Sequence, residues 1–132
     1  MTRIHKTPIE LELQLFQLKH PHLKGTILNN EVLYIDKSYD GRRELPFAAP
    51  KWATDGDASL DLIAEYDMQI AFVGLTVCVT RMVEDTEHAA CEPVQHTADD
   101  CNPAEKKRAI KLAVLKLAIA LEEVAASMSI NS

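Results

Sequence analysis

The segment from Pro103 to Ser127 constrains the fold most, because it predicts a long helix that is apolar on almost every side. Asn102 is the expected N-cap, and Pro103 suits the first helical position, where no amide hydrogen is needed. A helix of this kind must be buried on more than one side. We therefore expect it to lie between a sheet and a second layer, either another helix or another subunit, and the latter predicts a homo-oligomer. Its apolar positions are Ile110, Leu112, Ala113, Val114, Leu115, Leu117, Ile119, Leu121 and Val124.

The N-terminal third predicts a helix followed by a hairpin. Thr7-Pro8-Ile9-Glu10 has the pattern of a capping box with proline at the first helical position. The apolar residues after it alternate as in a strand, but they also form helical rows, and we favour a helix to about Leu18. Residues 25–36 predict two short strands around Asn29 and Asn30, which tolerate left-handed geometry.

The rest of the chain supplies a long connection and two more elements. Residues 37–57 predict the connection, and ASLDLIAEY predicts a short helix after it. MQIAFVGLTVCVTRMVED predicts one strand, with a bulge at Gly74. The fold class is therefore α+β, a small sandwich with helices packed on an antiparallel sheet and a long C-terminal helix. We expect a single domain over 1–132, with the helix and hairpin in 1–45 and a helix-strand-helix part in 46–132.

Composition excludes several classes of protein. The 132 residues carry a formal charge of −6, which makes nucleic acid an unlikely partner. No signal peptide is expected, and the apolar runs are too short or too interrupted to cross a membrane. The odd number of cysteines, three, predicts reduced thiols and a cytoplasmic protein.

The stretch PKWATDGDASLDL, from Pro50 to Leu62, resembles the aromatic-Ser/Thr-Thr-Asp signature of the phage ABA-sandwich domain family. The order of elements from Pro46 to Val124 is also similar. Members have no assigned catalytic role, so the resemblance implies a phage-encoded accessory protein in the host cytoplasm. This chain departs from the family at Ala53, where a hydroxyl is common, and in an acidic Cys/His stretch. ATDGDASLDL also looks like the first dUTPase motif, but the further glycine-rich motifs of that enzyme are absent.

That stretch, HAACEPVQHTADDC, has the ligand spacing of a zinc knuckle with histidine in place of the first cysteine. His88, Cys91, His96 and Cys101 would form a closed tetrahedral zinc set. The alternative is an acidic surface loop that joins the strand to the last helix. We expect no cofactor, with structural zinc as the alternative.

Two cationic groups predict an anion site. Lys106, Lys107 and Arg108 lie in the first turns of the last helix, where free amides and the helix dipole also favour an anion. The alternative is that these side chains only solvate the helix end.

Arg42 and Arg43 follow a turn in the long connection, close in sequence to Trp52. Guanidinium groups beside aromatic rings suit phosphate clamping and base stacking, although Trp52 is more often a core residue in such a loop. Asp55 completes the candidate ligand-binding set, although a helix cap explains it as well.

No catalytic motif was found, so we expect a protein that is not an enzyme. The first hypothesis is a phage-encoded protein that binds stoichiometrically, as in counter-defence, to an anionic nucleotide signal or a host protein. The alternatives are a zinc-stapled module that binds protein or nucleic acid, and a small nucleotide-processing enzyme.

Overall fold

The computed structural model describes residues 6–35, 47–94 and 103–130, with side chains up to residue 127. It confirms the α+β class, with two three-stranded antiparallel sheets and helices packed on them. The helices are α1 (Pro8–Lys19), α2 (Gly56–Tyr66) and α3 (Pro103–Ile130). Sheet A contains β1 (Gly25–Leu28), β2 (Glu31–Tyr34) and β3 (Phe47–Ala48), and sheet B contains β4 (Gln69–Val73), β5 (Thr76–Val83) and β6 (Thr86–Pro93).

The long helix α3 lies at the centre of the molecule. It packs against β5 and β6 on one side and against α1 and α2 on the other. Ala109, Ala113, Val114, Leu115 and Leu117 are completely buried there. The expectation that this helix is covered on more than one side is confirmed. Because the second layer comes from the same chain, the apolar surface of α3 does not by itself require a second subunit, and the homo-oligomer stays a prediction.

The first helix forms as its cap predicts. The Thr7 side chain accepts a hydrogen bond from the Glu10 amide, and the Glu10 carboxylate accepts one from the Thr7 amide. These bonds satisfy two amides that a helix start leaves free. The cap and the helical rows therefore prevail over the strand-like alternation, and α1 ends at Lys19, close to the predicted Leu18.

Sheet A begins with the predicted hairpin. Asn29 and Asn30 have φ values of 53° and 60°, as a two-residue turn of mirror-image geometry requires. The register pairs Gly25 with Tyr34 and Leu28 with Glu31.

Sheet B corrects two expectations. The predicted single strand with a bulge is wrong, because the chain reverses at Gly74, whose φ is 60°, and forms the β4–β5 hairpin. The residues from His88 to Pro93, expected to belong to a metal site or a loop, lie in strand β6. A tight turn at Glu84 and Asp85, with φ values of 49° and 66°, leads into it.

The second helix lies close to its predicted position. It begins at Gly56 with Asp55 as N-cap, whose side chain accepts a hydrogen bond from the Asp57 amide at 3.1 Å. It ends at Tyr66, where Asp67 adopts the left-handed conformation with a φ of 52°. Across the described ranges, no helix is long and apolar enough to cross a membrane.

Candidate functional site

A cleft of about 420 Å³ opens between the start of α1, the turn of the first hairpin and the segment before α2. This volume lies in the range of small-molecule binding sites. The capping box fixes the α1 side of the cleft, and the tight asparagine turn fixes the hairpin side. The described residues that line it are Thr7, Pro8, Ile9, Glu12, Asn30, Lys51, Ala53 and Thr54.

Glu12 is the most unusual residue of the cleft, because it is a carboxylate that is only 4% exposed. Its Oε2 atom accepts a hydrogen bond of 2.8 Å from the Ala53 amide, which ties the segment before α2 to α1. Its other oxygen, Oε1, accepts no hydrogen bond from the residues that the structure describes. Burial raises the pKa of the Glu12 carboxyl, while the Ala53 hydrogen bond and the positive charge of Lys51 act in the opposite direction.

Two lysines bring positive charge to the cleft. Lys51 lines it directly and forms an ion pair of 3.0 Å with Glu31, in which both side chains are largely exposed. Lys111 of α3 donates a hydrogen bond of 3.0 Å to the carbonyl oxygen of Thr54, a lining residue. An exposed ion pair contributes little to stability and is easily exchanged, so the Lys51 ammonium group can turn to an anionic ligand.

This arrangement can hold a molecule with two chemically different ends. A buried carboxylate with a free oxygen accepts hydrogen bonds from N–H groups, and such bonds are stronger than those between neutral groups. The nearby ammonium groups bind phosphate or carboxylate. Within the described lining there is no serine, cysteine or histidine that could act as a nucleophile beside a base.

The three cations at the start of α3 do not form one cluster. The Nζ atom of Lys106 lies 5.9 Å from the centre of the Phe72 ring on β4, on the side of sheet B. Arg108 is paired through Nε with both carboxylate oxygens of Glu105, at 3.1 and 3.2 Å. Lys107 is exposed and lies one helical turn before Lys111, so it is the member of the trio on the same helix face as the lysine that contacts Thr54.

Two other predicted ligand residues, Trp52 and Asp55, lie in the segment before α2 and have structural roles there. Trp52 is 4% exposed and belongs to the core, so its ring is not available to stack on a ligand at the surface. The alternative prediction for Trp52, that it is a core residue, is therefore confirmed. Asp55 is the N-cap of α2, as its position also predicted. Arg42 and Arg43 lie outside the described residues.

The first two predicted zinc ligands do not lie side by side. His88 and Cys91 both lie on β6, and their separation of three residues places them on opposite faces of the sheet. His88 is on the face that α3 covers, whereas Cys91 is exposed. This is not the geometry of the first two ligands of a knuckle. His96 and Cys101 lie outside the described residues, and in the described parts of the chain no three His, Cys, Asp or Glu side chains form a metal-binding group.

Sequence reasoning missed Glu12, Lys51 and Lys111. A signal for Glu12 was present, because it occupies the same helical row as Leu15 and Phe16, which are fully buried. A carboxylate in an apolar row predicts a buried acid with a dedicated partner. No comparable signal exists for the lysines, whose positions depend on how distant segments meet.

No family model, curated protein or solved structure matches this chain. The resemblance of residues 46–124 to the phage ABA-sandwich family therefore stays a prediction.

Proposed function

We propose that this protein binds a small nucleotide in the cleft and acts stoichiometrically, without turnover. The observation that carries the proposal is the Glu12 carboxylate, which is almost fully buried in the cleft wall and has one oxygen free of hydrogen bonds from the described residues. Such a group favours a ligand that brings its own N–H donors, because hydrogen bonds to a charged acceptor are stronger than those between neutral groups.

Guanine is the base that fits this acceptor best. It presents two adjacent donors, an imino N–H and an amino group, which match the two oxygens of one carboxylate. The phosphate group of the nucleotide would then reach Lys51 and Lys111 at the rim. Lys107 extends the positive surface, and Arg42 and Arg43 belong to the same proposal as phosphate ligands from the preceding connection.

The proposal is for binding and not catalysis. The lining that the structure describes supplies one carboxylate, one lysine and two threonines, and no pair of groups placed for proton transfer to a nucleophile. For a phage-encoded protein, which the family resemblance implies, the corresponding biological role is to sequester a nucleotide signal in the host cytoplasm.

Isothermal titration calorimetry with GMP, IMP and AMP tests the proposal. IMP lacks the amino group of guanine, and loss of one hydrogen bond to a charged group corresponds to about 10–100-fold weaker binding. We therefore expect GMP to bind more tightly than IMP, and IMP more tightly than AMP.

Matched variants show whether the cleft is the site. Glu12→Gln removes the charge but keeps the shape, and it should abolish the preference for GMP. Glu87→Gln, on the exposed face of β6, is the isosteric control and should leave binding unchanged. Lys51→Ala should weaken GMP binding several-fold, whereas Lys24→Ala, at an exposed position away from the cleft lining, should not. GMP binding that Glu12→Gln leaves intact would contradict the proposed site.

A host protein is the second candidate partner. Strand β4 is at the edge of sheet B, and its Phe72 and Val73 side chains are 54% and 64% exposed. Exposed apolar residues on a free sheet edge suit contact with another protein. A protein that binds none of the three nucleotides, but whose complex with a host protein is lost in Phe72→Ser, would favour this candidate.

A further inference from the structure

Two of the three cysteines face each other across neighbouring strands of sheet B. The register of the β5–β6 pair places Cys78 directly opposite Cys91. In an antiparallel pair, residues directly opposite have Cα atoms about 4.5 or 5.5 Å apart, and both separations fall within the range that a disulfide spans. The backbone therefore already holds these two residues at the spacing of a disulfide.

The two thiol groups also lie on the same face of the sheet. Directly opposed residues of an antiparallel pair have side chains that point to one face and lie next to each other. The neighbouring Cys78 thiol is accordingly the main cause that raises the pKa of Cys91.

Both thiols are on the face of sheet B that points away from α3. On β5, the neighbours Val77 and Val79 are completely buried, so the intervening Cys78 is directed to the opposite face. On β6, Cys91 is exposed while the next residue, Glu92, is buried. Met82, on the same outer face as Cys78, is 59% exposed. A small oxidant can therefore reach the pair without unfolding of the core.

We infer that Cys78 and Cys91 form a redox modification site that closes to a cross-strand disulfide by exchange with a low-molecular-weight disulfide. With glutathione disulfide, one cysteine thiolate attacks a sulfur of the oxidant and releases the first glutathione thiolate. The second cysteine thiolate attacks the protein sulfur of the mixed disulfide, so the Cys78–Cys91 bond forms and the second glutathione leaves. The protein thiols are oxidised, glutathione disulfide is reduced, and the two thiol protons end on the two glutathione molecules.

The inference assigns Cys91 a different partner from the zinc hypothesis, which pairs it with Cys101. It does not depend on the nucleotide cleft, since the cleft lining contains neither cysteine.

Trypsin digestion of the oxidised protein distinguishes these pairings. Cleavage after Arg81 and Lys106 puts Cys78 in peptide 52–81 and both Cys91 and Cys101 in peptide 82–106. The full chain is incubated with glutathione disulfide, blocked with iodoacetamide and digested without reduction. A disulfide between Cys78 and Cys91 joins the two peptides, whereas one between Cys91 and Cys101 stays within the second peptide.

Cysteine variants make the assignment unique. In Cys101→Ser, we expect the joined peptides as the main product, with both thiols protected from iodoacetamide until dithiothreitol is added. In Cys101→Ser with Cys91→Ser, we expect only a mixed disulfide with glutathione at Cys78. Mixed disulfides at Cys78 and Cys91 without joined peptides, no oxidation in Cys101→Ser, or a disulfide within peptide 82–106 of the wild type would each overturn the inference.

Discussion

Replacement of Glu12 gives the sharpest test of the buried carboxylate. Glu12→Ala removes the acceptor of the Ala53 amide, and Ala53 is only 8% exposed. A buried donor left without a partner costs about 1–3 kcal/mol, so we expect Glu12→Ala to lower the free energy of unfolding by this amount at neutral pH. Glu12→Gln keeps an oxygen acceptor for the same amide and should cost less than about 1 kcal/mol.

The pH dependence separates the charge of Glu12 from its hydrogen bond. The carboxyl pKa is raised from 4.5 in the folded state, so the folded protein holds this proton more tightly than the unfolded chain. The stability that follows is fully present below the unfolded pKa and is lost as the pH rises through the folded pKa. Glutamine does not titrate. The stability of Glu12→Gln relative to wild type should therefore increase between about pH 4 and about pH 7.

Urea denaturation measures both effects with one probe. Trp52 is the only tryptophan and is 4% exposed, so its fluorescence reports on the loss of the core. The unfolding free energies of wild type, Glu12→Ala and Glu12→Gln are compared at each pH. The stability of Glu12→Gln relative to wild type could instead stay constant with pH or decrease as the pH rises. Either result would show that burial does not raise the pKa of Glu12.

Two further predictions concern the backbone. Gly25→Ala would place a Cβ atom 2.7 Å from Leu13 Cδ1 and 3.0 Å from Phe16 Cδ2, and overpacking of this kind costs about 1–3 kcal/mol in urea denaturation. An unchanged denaturation midpoint would mean that the side chains of α1 move aside freely. Glu84→Asn with Asp85→Gly puts the preferred residues of a tight hairpin turn where both φ values are positive, and it should raise the melting temperature through a gain of about 1 kcal/mol. A lower melting temperature would show that residues 84 and 85 do not adopt the positive φ values on which this prediction rests.

The helices could be predicted because their signals are local. The capping box at Thr7 lies within four residues of chain, and the apolar rows of α3 lie within one element. The hairpin at Asn29 and Asn30 was found for the same reason, since asparagine tolerates left-handed geometry and marks the turn.

Strand β6 could not be predicted from its own residues. It has few β-branched side chains, which are the residues typical of strands. The turn before it is formed by Glu84 and Asp85, and this pair of residues does not predict positive φ values. The strand exists because it pairs along its whole length with β5, from Thr86 opposite Val83 to Pro93 opposite Thr76. Gly74 was noticed but was interpreted as a bulge, because β4 and β5 are similar in composition and differ only in direction.

The candidate site was predicted least well, because it is made where three distant segments meet. Glu12, Lys51 and Lys111 are far apart in sequence and come together only through the packing of α1 and α3 around the segment before α2. The anion site at the start of α3 stays a prediction, and the helix directs two of its three residues, Lys106 and Arg108, to different neighbours.

The most direct test of the proposed cleft is a titration of the ¹⁵N-labelled protein with GMP, followed by amide chemical shifts. We expect the largest changes at the Ala53 amide, which donates to Glu12, and at the lining residues Ile9, Lys51 and Thr54. The amide chemical shifts of Cys78 and Cys91, which lie in sheet B and do not line the cleft, should stay unchanged. Saturating GMP that leaves the Ala53 amide unmoved would contradict the account.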